Sequence, residues 1–426
     1  MKLELHNIGK IRNANISIEG ITVIAGENDT GKSTVGKTLY SIFNSFYSLE
    51  KQISGTRCDM IESIMEESLG RAGFFSRGLD DFIDEIVTVF GNCNGEIEKY
   101  LRENINSHIE SYNPKNVEDE TIGAETLKHI IEQIRYILKI DKGDIFKRVL
   151  QRRIDGEFKK QIATLDKNEE SRICLQIKDD NIEIKLSAKE ITSISKYISL
   201  QTQAIYIDDP LIMDRIADYS PRALREIMRY GKFISHRTHL EKCLIDAAGQ
   251  DEVEQVIEEL IVDKRVEEIE SRIKNACSGY FKDNKYYYDG SGNSILDVHN
   301  VSSGIKIFMV IKQLLKNKKL EENGTLILDE PEVYLHPKWQ LLFAEIIVLL
   351  QKTYNMHILL ATHSPYFLRA IEVYAAKHEI AEKCNFYLAE KKDDYACLQN
   401  VTNNTEAIYR KLLEPFESLQ MEIYAE

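Results

Sequence analysis

The chain is poor in the residues that interrupt or staple a fold. Only 7 of its 426 residues are proline, and it contains no Gly/Ser-rich stretch. Flexible linkers of the usual composition are therefore excluded, and domain boundaries must be read from changes in pattern. A cysteine framework is also missing. The seven cysteines are scattered, with no C-x-x-C pair and no His/Cys group at metal-ligand spacing, as in a chain whose thiols stay reduced. There is no surplus of positive charge: 55 Lys and Arg stand against 69 Asp and Glu, a net charge of −14. A surface that is basic throughout is excluded, so any nucleic-acid site would be a local patch. Long apolar runs are absent too. Leu341–Leu350 is about half of the roughly 20 residues a membrane helix needs, and it contains Glu345. Met1–His6 alternates like a strand and carries charge, unlike a signal peptide. These absences read as a soluble, cytoplasmic protein without a membrane partner.

Much remains for a core to be built from. Hydrophobic residues make up 43% of the chain and charged residues 29%, a balance that suits a helix-rich globular protein. By the rule of about 150 residues per domain, the length allows two or three domains, or one with large insertions. Alternation at Leu3/Leu5 and at Ala14/Ile16/Ile18, followed by the β-branched run Ile21–Ile24, predicts three strands. From about 49 to 170 the pattern turns helical. Stripes such as Ile61/Ile64/Met65/Leu69, Phe82/Ile83/Ile86/Val87/Phe90 and Leu127/Ile130/Ile131/Ile134/Ile137/Leu138 recur at i, i+3, i+4, i+7, the spacing of packing faces. Ile173/Leu175/Ile177 and Ile182/Ile184/Leu186 alternate on either side of a polar turn and predict a hairpin. Gln203–Ile207 reads as a buried strand stopping at Asp208-Asp209-Pro210, and 211–275 is helical again, with Val253/Val256/Ile257/Leu260/Ile261 its clearest stripe. The last 130 or so residues alternate strand with helix.

The run Gly26-Glu27-Asn28-Asp29-Thr30-Gly31-Lys32-Ser33-Thr34 matches G-x-x-x-x-G-K-[S/T]. A strand precedes it, and Val35, Leu39, Phe43 and Phe46 follow at helical spacing, which is the context a phosphate-binding loop needs. Its backbone N–H groups would close around phosphates at a helix N-terminus, Lys32 would reach the β- and γ-phosphates, and Ser33 would hold Mg²⁺. Thr325–Leu328 is an apolar strand ending in Asp329-Glu330. A D-E pair alone is an ordinary acidic turn; beside a phosphate loop, Asp329 becomes a Mg²⁺ ligand through water and Glu330 the group that orients attacking water. Ser302-Ser303-Gly304 opens a helix and offers N–H groups and a hydroxyl to an anion, although serine is also a normal N-cap. His357–Ala361 is a further apolar strand, ending in Thr362-His363-Ser364-Pro365, where His363 is a candidate γ-phosphate sensor.

In order and spacing, these motifs resemble those of ABC-type ATPases. More narrowly, Asp329–Gln340 (DEPE-x-x-LHP-x-x-Q) and Thr362–Leu368 (THSPYFL) resemble the RecF/SMC-like heads of the overcoming-lysogenization-defect group and the ATPase of the Septu anti-phage system. The resemblance covers about 1–45 and 295–426. It implies two heads sandwiching two ATP molecules, with Ser302 and Gly304 of one copy meeting the γ-phosphate held by Lys32 of the other. It carries over Glu330 as catalytic base, Asp329 and Ser33 as metal ligands and His363 as switch histidine. Asp29 stands where such loops usually have glycine, and Ile305 where the signature usually has Gln or Glu. No glutamine marks a Q-loop. Asp208-Asp209 at that place could serve the metal or form a turn, and Arg12 is the one candidate for the adenine contact. About sixty residues follow His363, too few for a Toprim nuclease domain, and no H-N-H pattern occurs.

The expected fold is therefore α/β: an ABC-ATPase (P-loop NTPase) head with a mixed central sheet and a large, mainly helical insertion. The expected parts are an N-terminal lobe 1–48, a helical insertion with β-hairpin 49–200, a core strand 201–210, a helical lobe 211–294 and a C-terminal lobe 295–426. The expected function is an ATP- and Mg²⁺-dependent ATPase that forms a homo-oligomer and controls a separate effector, such as an HNH nuclease, in anti-phage defence. One alternative is a DNA-repair ATPase acting on DNA directly. Two basic patches bear on it: Lys147-Arg148/Arg152-Arg153/Lys159-Lys160, whose plainer reading is a solvated helix face, and Arg222/Arg225/Arg229/Lys232/Arg237, open equally to DNA and to an acidic partner surface. The other is a nucleotide-gated scaffold with little turnover.

Overall fold

The computed structural model describes all residues except 70–76, 91–98, 102–123, 164–169, 188, 221, 225–234, 246–263, 283–284, 288–294 and 425–426. Among the sequence features, the Val253–Ile261 stripe and the basic residues Arg225, Arg229 and Lys232 lie outside the described residues. The chain divides into two compact units, residues 48–149 and residues 1–47 with 150–426.

Among the described residues, the larger unit is built on one sheet of 11 strands, ordered β6-β5-β4-β1-β2-β14-β13-β3-β12-β11-β7. Its two halves differ because their sequences differ. Strands β3 (Ile21–Gly26), β7 (Ala204–Ile207), β11 (Thr325–Asp329) and β12 (His357–Thr362) are almost continuous apolar runs, and nearly every residue in them is buried. Strands covered on both faces need no polar side, and these four pair in parallel. Strands β1 (Lys2–Ile8), β2 (Ile11–Ser17), β4 (Ser171–Ile177) and β5 (Asp180–Ser187) alternate buried with more exposed residues and pair antiparallel. The short β6 (Glu190–Ile194) closes that edge. Strands β13 (Cys384–Lys392) and β14 (Tyr395–Asn400), late in the chain, join the halves: β13 lies parallel to β3 and β14 parallel to β2. The predicted hairpin thus belongs to the central sheet and not to the helical insertion. Alternation fixes one buried face but not what that face packs against.

Register sets the site. Ala25 pairs with Thr362, Ala361 with Asp329, and Leu328 with Ile207, so four parallel strands end level on one edge. Ligands of open α/β sheets bind in the crevice at such carboxyl ends. Helices Lys32–Phe46, Ser303–Lys316, Pro337–Tyr354 and Pro365–Lys377 are among those packed in this unit, with Phe308, Phe343, Ile346, Ile347, Leu350 and Phe367 fully or almost fully buried. A small sheet of β8 (Tyr280–Lys282), β9 (Lys285–Tyr287) and β10 (Ile295–Asp297) is separate from the main one.

The smaller unit has its own core. Ile61, Met65, Phe82, Ile83, Ile86, Val87, Ile130, Ile131, Ile134 and Ile137 from helices Leu49–Leu69, Arg77–Phe90 and Ala124–Lys139 form one apolar cluster, which is what their spacing predicts. Among the described residues no helix is long and apolar enough to cross a membrane.

Candidate nucleotide site

The loop after β3 turns on two left-handed residues, Asp29 at φ 66° and Gly31 at φ 81°. A Cβ on Gly31 would stand 2.7 Å from Ile11 Cγ1, so this position is closed to side chains. Asp29 is tolerated where related loops carry glycine because aspartate is among the few residues that adopt left-handed backbone at low cost. An ion pair with Lys10 anchors it and holds its carboxyl below the usual range. Thr30 Oγ1 donates to Glu27 O at 2.8 Å, and the buried Lys32 Nζ donates to Gly26 O at 3.0 Å and Glu27 O at 2.7 Å. The lysine thus curls back over its own loop. Gly26 ends β3, and Ser33 and Thr34 lie in the first turn of the following helix.

Two strands away, β11 delivers Asp329 and Glu330, with β12 between carrying Thr362 and His363. The Glu330 backbone is left-handed, at φ 51°, which is costly for a side-chain-bearing residue. Its N–H donates to Ala361 O at 2.9 Å and its carbonyl accepts from Val333 N at 3.2 Å, so the ladder and the next turn hold it there. Glu330 Oε1 lies 3.5 Å from Lys32 Nζ and 3.4 Å from His363 Nδ1. The His363 contact, first, and the Lys32 charge hold the Glu330 carboxyl below its ordinary range against the opposing effect of burial. The same contact with Glu330 raises His363. Asp329 is pushed up by burial, partly offset by the nearby Ser33 hydroxyl and by Tyr206, whose hydroxyl donates to Oδ2 at 2.8 Å.

Lys32, Ser33, Asp329 and Glu330 line a cavity of about 1450 Å³. Asn28, Asp29, Thr30, Gly31, Lys32, Ser33, Thr34, Asp329 and Glu330 form one wall, while Phe158, Lys160, Gln161, Ser187, Lys189 and Glu190 form part of the rest. The sequence motifs at 26–34 and 329–330 are brought together, and His363 meets them through Glu330. Ser302, Ser303 and Gly304 are not: they start helix Ser303–Lys316 and do not line the cavity. Ser302 is exposed and its hydroxyl makes no capping hydrogen bond. Gly304 is buried under Tyr334 and Trp339, where a Cβ would meet Tyr334 O at 2.9 Å.

Several residues have roles that the sequence did not assign, although some lie within its motifs. Glu332 is buried; its Oε1 accepts from the Thr362 hydroxyl and from the His363 backbone N–H at 3.1 Å. Ser364 Oγ donates to Gln340 Oε1 at 3.0 Å, and Gln340 Nε2 donates to Leu335 O at 3.2 Å. The D-E-P-E-x-x-L-H-P-x-x-Q and T-H-S-P motifs are therefore locked together through Glu332 and Gln340. Tyr206 is the other unpredicted member. Asp208 turns to His236 at 3.0 Å and Arg237 at 2.7 Å, and Asp209 Oδ1 accepts from Leu211 N at 2.9 Å in a turn. Arg12 stacks over Tyr395 at 5.2 Å and does not line the cavity. The first basic patch does not form a single face, since Arg153 is buried and Lys160 lines the cavity.

A phosphate loop on a central parallel strand, with an acid pair on the next strand but one, defines a P-loop NTPase fold. Residues 21–369 match the family described as "AAA domain, putative AbiEii toxin, Type IV TA system", and the chain belongs to that family. It is also similar to three solved SMC heads at 10% identity. The SmcHead bound to the C-winged helix domain of ScpA aligns over 95% of this chain and 98% of that one, at a TM-score of 0.41. The SMC head domain from Thermotoga maritima aligns over 94% and 98%, at 0.38. The Smc head domain with an extended coiled coil, bound to the C-terminal domain of ScpA derived from Pyrococcus furiosus, aligns over 98% of each chain at 0.40.

Proposed function

We propose that this protein is a cytoplasmic, Mg²⁺-dependent ATPase that closes as a homodimer around ATP and uses the cycle to control a separate effector. The observation that carries the reading is the meeting of Lys32, Glu330 and His363 around one carboxylate oxygen. Lys32 is placed for the β- and γ-phosphates, where its charge offsets that developing in the transition state. Glu330, kept ionised, is the base that orients an attacking water, and His363 is the second contact for that water or for the γ-phosphate. Ser33 and Asp329 would hold Mg²⁺, which would supply charge for the β- and γ-oxygens. The donor set fits: Asp329 Oδ1 is buried and has no hydrogen-bond partner among the described residues.

The dimer is supported by the free Ser302 hydroxyl on a helix start away from the chain's own cavity, available to the γ-phosphate of a second copy. The effector, an HNH-type nuclease in anti-phage defence, rests on the D-E-P-E-x-x-L-H-P-x-x-Q and T-H-S-P-Y-F-L motifs. The test is sedimentation of Glu330→Gln protein with ATP and Mg²⁺. A dimer that forms with ATP, is absent with ADP and is lost on Ser302→Arg supports the reading, and a monomer under all conditions overturns the dimer. Co-purification from the native host identifies the effector; recovery with DNA but no protein partner favours the DNA-repair alternative.

A further inference from the structure

Tyr206 is buried on the edge strand β7, beside β11, where it pairs with Ile327. Its hydroxyl is spent on one oxygen of Asp329, Oδ2, at 2.8 Å. Its ring stacks on His236 with centroids 4.3 Å apart and planes at 24°. On another side stands the phosphate-loop helix, where a Cβ on Gly36 would come within 3.2 Å of the phenol oxygen. His236 is itself pinned: Glu157 takes its Nδ1 at 2.6 Å and its backbone N–H at 2.5 Å, and Asp208 faces Nε2 at 3.0 Å. Arg237 donates to Asp208 through Nε at 3.0 Å and Nη2 at 2.7 Å, fixing that carboxylate in turn.

Aspartate's last torsion is broad, so an unsupported carboxylate samples many orientations. Here one oxygen is tied to a phenol that cannot turn, and the other, Oδ1, is left buried without a partner among the described residues. We propose that Tyr206, clamped by His236 and Glu157, is a positioning residue that holds Asp329 with Oδ1 presented to the hydrated metal of the bound nucleotide. This rests on Asp329 being the metal-side carboxylate, as proposed above. Losing a partner that orients a metal-ligating group typically costs about 10–100-fold in metal affinity.

The test is titration of Mg²⁺ against a fluorescent ATP analogue bound to full-length Tyr206→Phe, with Asp329→Asn and wild type alongside and a parallel measurement of analogue binding in EDTA. Tyr206→Phe is expected to raise half-saturating Mg²⁺ about ten-fold while leaving metal-free nucleotide binding unchanged. Unaltered Mg²⁺ dependence in Tyr206→Phe, with Asp329→Asn impaired, would overturn the positioning role alone. Loss of metal-free binding by Tyr206→Phe would also overturn it, making the tyrosine a packing residue. A wild-type titration by Asp329→Asn would instead overturn the metal assignment on which the inference stands.

Discussion

His363 Nδ1 lies 3.4 Å from Glu330 Oε1, and this contact is the first cause both of the lowered Glu330 pKa and of the raised His363 pKa. Each partner extends the pH range over which the other is charged. The Glu330 contribution is present above its ordinary value of 4.5 and is lost as pH falls through the lowered folded value. The His363 contribution is present below its ordinary 6.5 and is lost as pH rises through the raised folded value. With 30% and 42% of the two side chains exposed, solvent screening keeps the pair's stability effect below about 1 kcal/mol. Its consequence is kinetic. The acid limb of the hydrolysis rate is expected below the ordinary glutamate range and moves upward in His363→Ala; an unmoved limb would contradict the pairing.

Glu332 is a structural acid between the two motifs. Glu332→Ala leaves the Thr362 hydroxyl and His363 N–H without their acceptor and is expected to cost about 2 kcal/mol in denaturant unfolding. Burial raises the Glu332 pKa, so its folded form holds a proton more tightly than its unfolded form. Wild-type stability should therefore fall as pH rises from its ordinary 4.5 through the raised folded value. Glu332→Gln should remove that slope. A slope that survives in Glu332→Gln assigns it to another group.

Gly31→Ala meets two separate obstacles, the left-handed backbone and the Ile11 side chain. The strain amounts to about 1–3 kcal/mol and falls on the loop, so nucleotide affinity should drop about ten-fold or more, as read by equilibrium binding. Adding Ile11→Ala should restore only part, because the backbone requirement persists. Full restoration would show that the contact alone excludes the side chain.

The parallel strands were legible because strands buried on both faces leave uninterrupted apolar runs, such as Ile21–Ile24 and Leu326–Leu328, each ending in polar residues that sit level in the sheet. The order of those strands is less visible. Nothing local tells that β13 and β14, almost last in the chain, fill the middle of the sheet. Short β6 has one buried residue in five and so gives no alternation to read. At the site, Lys32, Asp329 and Glu330 were legible from spacing. Tyr206 was not: it is 123 residues from Asp329 and looks like any aromatic in a buried strand. Asp208 could be placed at a strand end from sequence, but its pairing with His236 and Arg237 depends on a helix some thirty residues on.

The role of Glu330 in hydrolysis is tested most directly by steady-state phosphate release from Glu330→Gln beside wild type, with ATP binding measured on the same samples. Wild type is expected to hydrolyse ATP and the variant to lose about 10²-fold or more in rate while keeping its ATP affinity, since Lys32 and the loop are intact. Hydrolysis by Glu330→Gln at the wild-type rate would contradict that role.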